Sequence, residues 1–281
     1  MVFGIEENSV IIDNATMNYV AFGSGQRPLV ILPGLSDGLT TVRGQGIPLY
    51  FYYRQFAKDF RVYVFSRKNK LDSGYTTRKM ARDQAIALER LGILQAHVMG
   101  VSQGGAIAQY LAIDSPLCVK KLVIGVSYTK PTSTLQSVVK DWIAMAEVGD
   151  YRALTIDTME KTFTEKQLKK YRPFYPVISR IGKPKSFERF LIQAIACLEH
   201  DAYSELEKIN CPTLVLGGDS DRVVGKGTSE AIIKKIKDSQ LILYKGLGHG
   251  AYEEAPDFNQ KVKEFLLSEC TITDSVISPL L

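Results

Sequence analysis

The stretch Val98-Met99-Gly100-Val101-Ser102-Gln103-Gly104-Gly105-Ala106-Ile107-Ala108-Gln109 decides the fold. It opens on an apolar run with the look of a buried strand and passes through Gly-x-Ser-x-Gly at 100–104. It continues into a helical segment, 103–113, whose Ala106, Ile107, Ala108, Tyr110, Leu111, Ala112 and Ile113 leave hardly a polar face. In a strand–turn–helix of this kind, a tight and strained turn lifts the serine hydroxyl above the edge of a sheet. The flanking glycines are required because strand and helix approach too closely there for a side chain. Gly105 adds a third small residue on the helix side.

Outward from this point, short apolar or β-branched runs at residues 9–12, 17–22, 29–32, 61–65, 97–99 and 121–125 read as strands. Those at 29, 97 and 121 are almost wholly apolar, as parallel strands covered on both faces should be. Residues 76–91 carry helical spacing, with Met80, Ile86, Leu88 and Leu91 among charged neighbours. The alternation predicts an α/β fold: a mostly parallel, twisted, doubly wound sheet flanked by helices, with an antiparallel hairpin at its N-terminal edge. After Val126 the pattern breaks. Residues 130–203 read as helix and loop without a strand; strand signals resume at 213–216 and 240–244, each followed by a helical stretch, 228–237 and 256–267. The expected organisation is therefore a core of residues 1–129 and 204–270, a helical insertion at 130–203, and a tail at 271–281.

Composition excludes several classes. Hydrophobic residues at 45% and charged residues at 23% rule out a disordered chain, and the scattered 22 Gly and 11 Pro rule out a collagen-like one. No run approaches the length of a membrane span, and the acidic Glu6-Glu7 near the start is unlike a secretory signal. Cys118, Cys197, Cys211 and Cys270 show no Cys-x-x-Cys pairing and read as ordinary buried thiols, so a cytoplasmic location is expected. The formal charge is a mild +5, yet residues 160–190 hold nine basic residues against three acidic ones, interleaved with six aromatics. This reads chiefly as solvated helix faces with the rings turned inward; no nucleic-acid motif accompanies it. Three histidines at 97, 200 and 249 have no metal-ligand spacing, and no cofactor is implied.

The chemistry rests on few residues. A second Gly-x-Ser-x-Gly, Gly34-Leu35-Ser36-Asp37-Gly38, is followed by a loop with Gly44, Gly46 and Pro48 rather than by a helix, so Ser102 is the candidate nucleophile. A serine attacking a carbonyl needs N–H donors for the developing oxyanion. One follows the nucleophile, at Gln103; the turn Pro33-Gly34-Leu35 is placed to give the other, from Leu35. The serine also needs a base. His97 precedes the elbow strand and reads as structural, and His200 falls near the end of the insertion, where a surface or capping position is expected. His249, in Gly246-Leu247-Gly248-His249-Gly250, follows the last strand at the sheet edge where active sites form. The acid that orients it should follow the strand at 213–216, where Asp221 is preferred and Asp219 is the second choice.

This set resembles the α/β-hydrolase superfamily, in which the chain order is Ser, Asp, His. The matching stretches run over residues 29–127 and 211–267. The acid three residues after a glycine, as in Gly218-Asp219-Ser220-Asp221, supports Asp221. The resemblance implies an α/β-hydrolase fold, with Ser102, Asp221 and His249 as triad, Leu35 and Gln103 as oxyanion donors, and residues 130–203 as a helical cap. Two departures stand out: Pro33-Gly34 in place of His-Gly, and Ser66-Arg67-Lys68 through Gly74 in place of Asp-x-Arg-Gly-x-Gly. The expected activity is hydrolysis of a small acyl compound, a carboxylic ester first, with no cofactor. A small-molecule sensor with slow or no turnover and an acyltransferase are the alternatives. The basic, aromatic-rich insertion suggests an anionic or lipid-like substrate. Oligomeric state is not legible.

Overall fold

A computed structural model describes residues 4–269. Eight strands form one sheet: β1 (Glu6–Ile12), β2 (Ala15–Phe22), β3 (Arg27–Leu32), β4 (Phe60–Lys68), β5 (Ala96–Val101), β6 (Val119–Gly125), β7 (Thr213–Gly218) and β8 (Ser239–Tyr244). Their spatial order is β1-β2-β4-β3-β5-β6-β7-β8. β1 pairs with β2 and β2 with β4 in antiparallel register, and every later pair is parallel. The strand that reads most apolar in sequence, β3, lies at the centre with Leu29, Val30 and Ile31 fully buried. The edge strand β8 is only half-buried along its length.

The helices are α1 (Gly46–Tyr53), α2 (Thr77–Arg90), α3 (Gln103–Asp114), α4 (Ser133–Glu147), α5 (Tyr151–Thr162), α6 (Glu165–Tyr171), α7 (Tyr175–Ile178), α8 (Glu188–Glu199), α9 (Thr228–Ile233), α10 (Ala251–Glu254) and α11 (Phe258–Leu267). α2 and α3 cover one face of the sheet, in a core holding Met80, Leu88, Ile107 and Leu111 with Val98 and Leu122. α1 and α11 cover the other, where Phe258 and Val262 pack with Phe56, Leu29 and Met99. A third cluster joins the start of α3 to α4, α5 and α8 through Ala106, Leu135, Trp142, Leu154 and Phe190. Helices α4 to α8 fill the interval between β6 and β7, as the loss of strand signal after Val126 led one to expect.

The structure corrects several local expectations. The stretch with Gly46 and Pro48 is helix α1, not loop. Pro48 falls in the first turn, where its missing N–H costs no hydrogen bond. β4 runs on to Lys68, three residues beyond the expected end. The final helical stretch, expected at 256–267, is α11, with the short helix α10 before it, and α9 stops at Ile233, four residues short of the expected end. Of the described cysteines, all free, Cys197 is buried while Cys118 and Cys211 are partly exposed. Cys270 and the tail at 271–281 lie outside the described residues.

Strand order places a topological switch at β3 and β5: the chain leaves β3 for β4 on one side and reaches β5 on the other. In open parallel sheets the crevice at such a point, beyond the carboxyl ends of the strands, is where ligands bind.

Candidate active site

Ser102 sits immediately beyond β5 with φ 55 and ψ −120, a backbone conformation that non-glycine residues seldom adopt. Two features hold it there. A Cβ on Gly104 would fall inside the Leu32 carbonyl, so only glycine lets α3 start this close to β3. The Ser127 hydroxyl donates to the Ser102 carbonyl at 2.7 Å, bracing the turn from the end of β6.

His249 is buried in the loop after β8, and its ring bridges two partners. Nε2 lies 2.9 Å from the Ser102 Oγ, and Nδ1 lies 2.8 Å from Asp221 Oδ2. The other carboxyl oxygen, Asp221 Oδ1, accepts from the Val223 and Val224 N–H groups at 2.8 and 2.9 Å. The carboxylate is thus oriented by its own loop. Asp219, the second choice, is used differently: its Oδ1 accepts from the Ser220 hydroxyl and from the Gly246 N–H at 2.8 Å, fastening the β7 loop to the β8 loop. The structure therefore brings together Ser102, His249 and Asp221, and leaves Asp219 outside that chain of contacts.

Leu35 and Gln103 each open a helical turn, Leu35 in the 3-10 turn Leu35–Gly38 and Gln103 in α3. The first N–H groups of a helical turn have no carbonyl within it to bond. The two turns meet at the serine: a Cβ on Gly34 would lie 3.4 Å from the Ser102 Cβ.

Behind these turns stands a charged cluster that sequence reading left as loop. Arg67 is 4% exposed and donates from Nη2 to the Pro33 carbonyl at 2.6 Å and to Gln103 Oε1 at 3.2 Å. Asp37 Oδ2 accepts from the Arg67 backbone N–H at 3.1 Å and pairs with Arg189 Nη2 at 2.5 Å. Arg189, on α8, also donates to the carbonyls of Asp37, Lys68 and, at 3.0 Å, Arg67. A guanidinium thus supports the Pro33-Gly34 turn. The sequence offered only the basic pair Arg67-Lys68 after an apolar run, with no sign of its burial.

The remaining histidines are structural. His97 packs edge-on against Phe60, and its burial, with the Lys120, Lys121 and Arg27 charges, lowers its pKa to about 4. His200 departs from expectation: it is 1% exposed rather than on the surface, within reach of the Thr77 hydroxyl at 2.9 Å, and burial lowers its pKa to about 3. Aromatic neighbours Tyr110 and Tyr128 enclose it. Among the described residues no group of His, Cys, Asp or Glu is arranged to hold a metal ion, and no helix is long and apolar enough to cross a membrane.

A cavity of about 350 Å³ opens over Ser102 and His249. Its apolar wall includes Leu39, Leu49, Val101, Trp142 and Phe190; Tyr52, Tyr53, Tyr252 and Glu253 line another part. Trp142 and Phe190 come from α4 and α8, so the insertion forms part of the wall. The Trp142 ring is fixed by its indole N–H, which donates to Asp157 at 2.7 Å. Sequence reading assigned none of these lining residues, because pattern carries no signal for which side chains of separate elements converge.

Comparison with known proteins gives a consistent result. The alpha/beta hydrolase fold profile matches residues 27–256. Over 266 residues the chain is 28% identical to the AB hydrolase superfamily protein YisY of Bacillus subtilis (strain 168), covering 90% of this chain and 96% of that one. It is 28% identical over 191 residues to a 2-hydroxy-6-oxononadienedioate/2-hydroxy-6-oxononatrienedioate hydrolase of a Pseudomonas species, a match spanning 64% of this chain and 65% of the relative. The crystal structure of MGS-M2, an alpha/beta hydrolase enzyme from a Medee basin deep-sea metagenome library, superposes with a TM-score of 0.80 at 19% identity, covering 94% of this chain and 98% of that one.

Proposed function

The chain belongs to the alpha/beta hydrolase family, and from that premise we propose that it is a cofactor-free serine hydrolase that cleaves a small acyl compound, a carboxylic ester first, through an acyl-enzyme on Ser102. The single observation that carries this reading is His249 held between Ser102 Oγ at 2.9 Å and Asp221 at 2.8 Å. Ser102 Oγ attacks the carbonyl carbon while His249 Nε2 takes its proton, and Asp221 steadies the imidazolium that forms. The oxyanion is met by the N–H groups of Leu35 and Gln103. Collapse of the tetrahedral intermediate expels the leaving group, which takes the proton from His249. Water, deprotonated by the same nitrogen, then attacks the acyl carbon and frees the acid and Ser102. Residues 130–203 act as a cap that shapes the cavity. The free thiols at Cys118, Cys197 and Cys211 accord with a reducing, cytoplasmic setting.

The test is intact-mass labelling with a fluorophosphonate, together with turnover of simple esters. Wild type gains a single adduct that Ser102→Ala lacks, and Ser102→Ala loses about a million-fold in turnover, as expected when nucleophile and base work as one unit. A Ser102→Ala protein that keeps a tenth of its activity, or a folded wild type that takes no label, would overturn the assignment.

A further inference from the structure

The cavity over Ser102 has an unusual charge inventory for a protein with an excess of basic residues. Among the described residues, no Lys or Arg lines it. Apart from His249, which is engaged at both ring nitrogens, the one ionisable group among the described lining residues, outside the tyrosines, is the carboxyl of Glu253 on α10. The basic residues of the insertion are spent elsewhere. Arg172 pairs with Glu160 and Glu165, Lys161 with Asp157, and Arg189 with Asp37. Lys166, Lys169, Lys170, Arg180, Lys183 and Lys185 are exposed and none lines the cavity.

Building on the serine-hydrolase reading, we propose that this cavity takes acyl substrates bearing no negative charge, and that Glu253 is the residue that rejects carboxylate-bearing ones. A carboxylate entering the cavity would give up hydration without finding a cation to replace it. It would also meet Glu253 as a like charge, which costs binding and transition-state energy alike. The neighbouring phenols offer no compensating positive charge. Tyr53 is kept neutral by its burial and by the Glu253 charge beside it, and Tyr52 by burial together with Tyr53 and Glu253. An uncharged chain instead gains from burial against Leu39, Leu49, Trp142 and Phe190. Glu253 itself titrates above the ordinary glutamate range, through desolvation at the wall and the charge of Glu254, with the Tyr252 hydroxyl acting in the opposite direction.

The test compares two fluorophosphonates of equal chain length, one with a plain alkyl chain and one ending in a carboxylate, by the rate at which each adds to the folded protein. The rates are compared at about pH 8, well above the ordinary carboxylate range. Wild type is expected to react with the alkyl probe at least about thirtyfold faster, and Glu253→Gln to shrink that ratio by about tenfold, the scale of one like-charge contact. Reversal of Lys169, Lys170 and Lys183 to Glu should leave the ratio where it stands. Equal rates in wild type, an unchanged ratio in Glu253→Gln, or a ratio set by the outer lysines would each overturn the proposal. Failure of both probes to label Ser102 would instead sink the serine reading on which it rests.

Discussion

At the scale of single residues, the site depends on places where only one side chain will do. Gly104 lets α3 begin against β3, and Gly104→Ala should destabilise the fold by about 3 kcal/mol, since backbone rather than a mobile side chain occupies the space. A denaturation midpoint equal to wild type would refute this. The two buried histidines make a separate statement about pH. Both have folded pKa values well below the ordinary 6.5, about 4 for His97 and about 3 for His200. The unfolded chain therefore binds protons that the folded chain refuses. Stability is full above about pH 6.5 and falls as the pH drops toward 4, by about 2 kcal/mol per histidine at pH 5. Urea midpoints at neutral pH and at pH 5 check this; a flat profile would contradict it. Ser102 and His249 were legible because a strand-turn-helix signal and a loop position bracket them in sequence. Asp221 was preferred to Asp219, on its place three residues after Gly218. What the sequence did not carry is the turn of Val223 and Val224 N–H groups around its carboxyl, which orients it.

At the scale of elements, the insertion is fastened to the core at both sides of the serine. On the side of the Leu35 turn, Arg189 of α8 clasps Asp37 and the end of β4. On the side of His249, the end of α5 meets its loop: Gly250 N–H donates to the Thr162 carbonyl at 2.8 Å, and Thr164 N–H donates to Glu254 at 3.0 Å. Arg189→Met should therefore cost about 3 kcal/mol, because it strips a largely buried carboxylate of a partner. It should also lower turnover by loosening the turn that carries Leu35. Chemical denaturation and ester kinetics on the variant test both, and a variant matching wild type in both would show the clasp to be idle. These contacts explain the limits of reading elements from sequence. Arg67 and Lys68 look like loop residues because a buried charge in a strand is reasonable only if its partners are known. Those partners, Asp37 for Arg67 and Asp83 for Lys68, lie outside the run itself, on other elements. The start of α1 was hidden for a simpler reason, since Gly46 and Pro48 read as breakers where one is the opening residue and the other sits in a tolerant first turn.

At the scale of the whole molecule, the alternation of strands and helices made the sheet, its parallel centre and its antiparallel edge legible, as well as the helical insertion. The convergence of α1, α4, α8 and α10 on one cavity was not, because it depends on how layers pack rather than on any local period. The insertion has one more consequence, and it concerns synthesis rather than the finished protein. β6 finds its second neighbour only in β7, through Leu122 beside Thr213 to Gly125 beside Leu216, and residues 126–212 separate them. At ordinary elongation rates a ribosome needs on the order of ten seconds to make that interval. Throughout it, β6 is the bare edge of a growing sheet, an apolar template open to any other nascent strand. The hazard to this protein's yield is therefore vectorial, set by the length of chain that lies between the two strands.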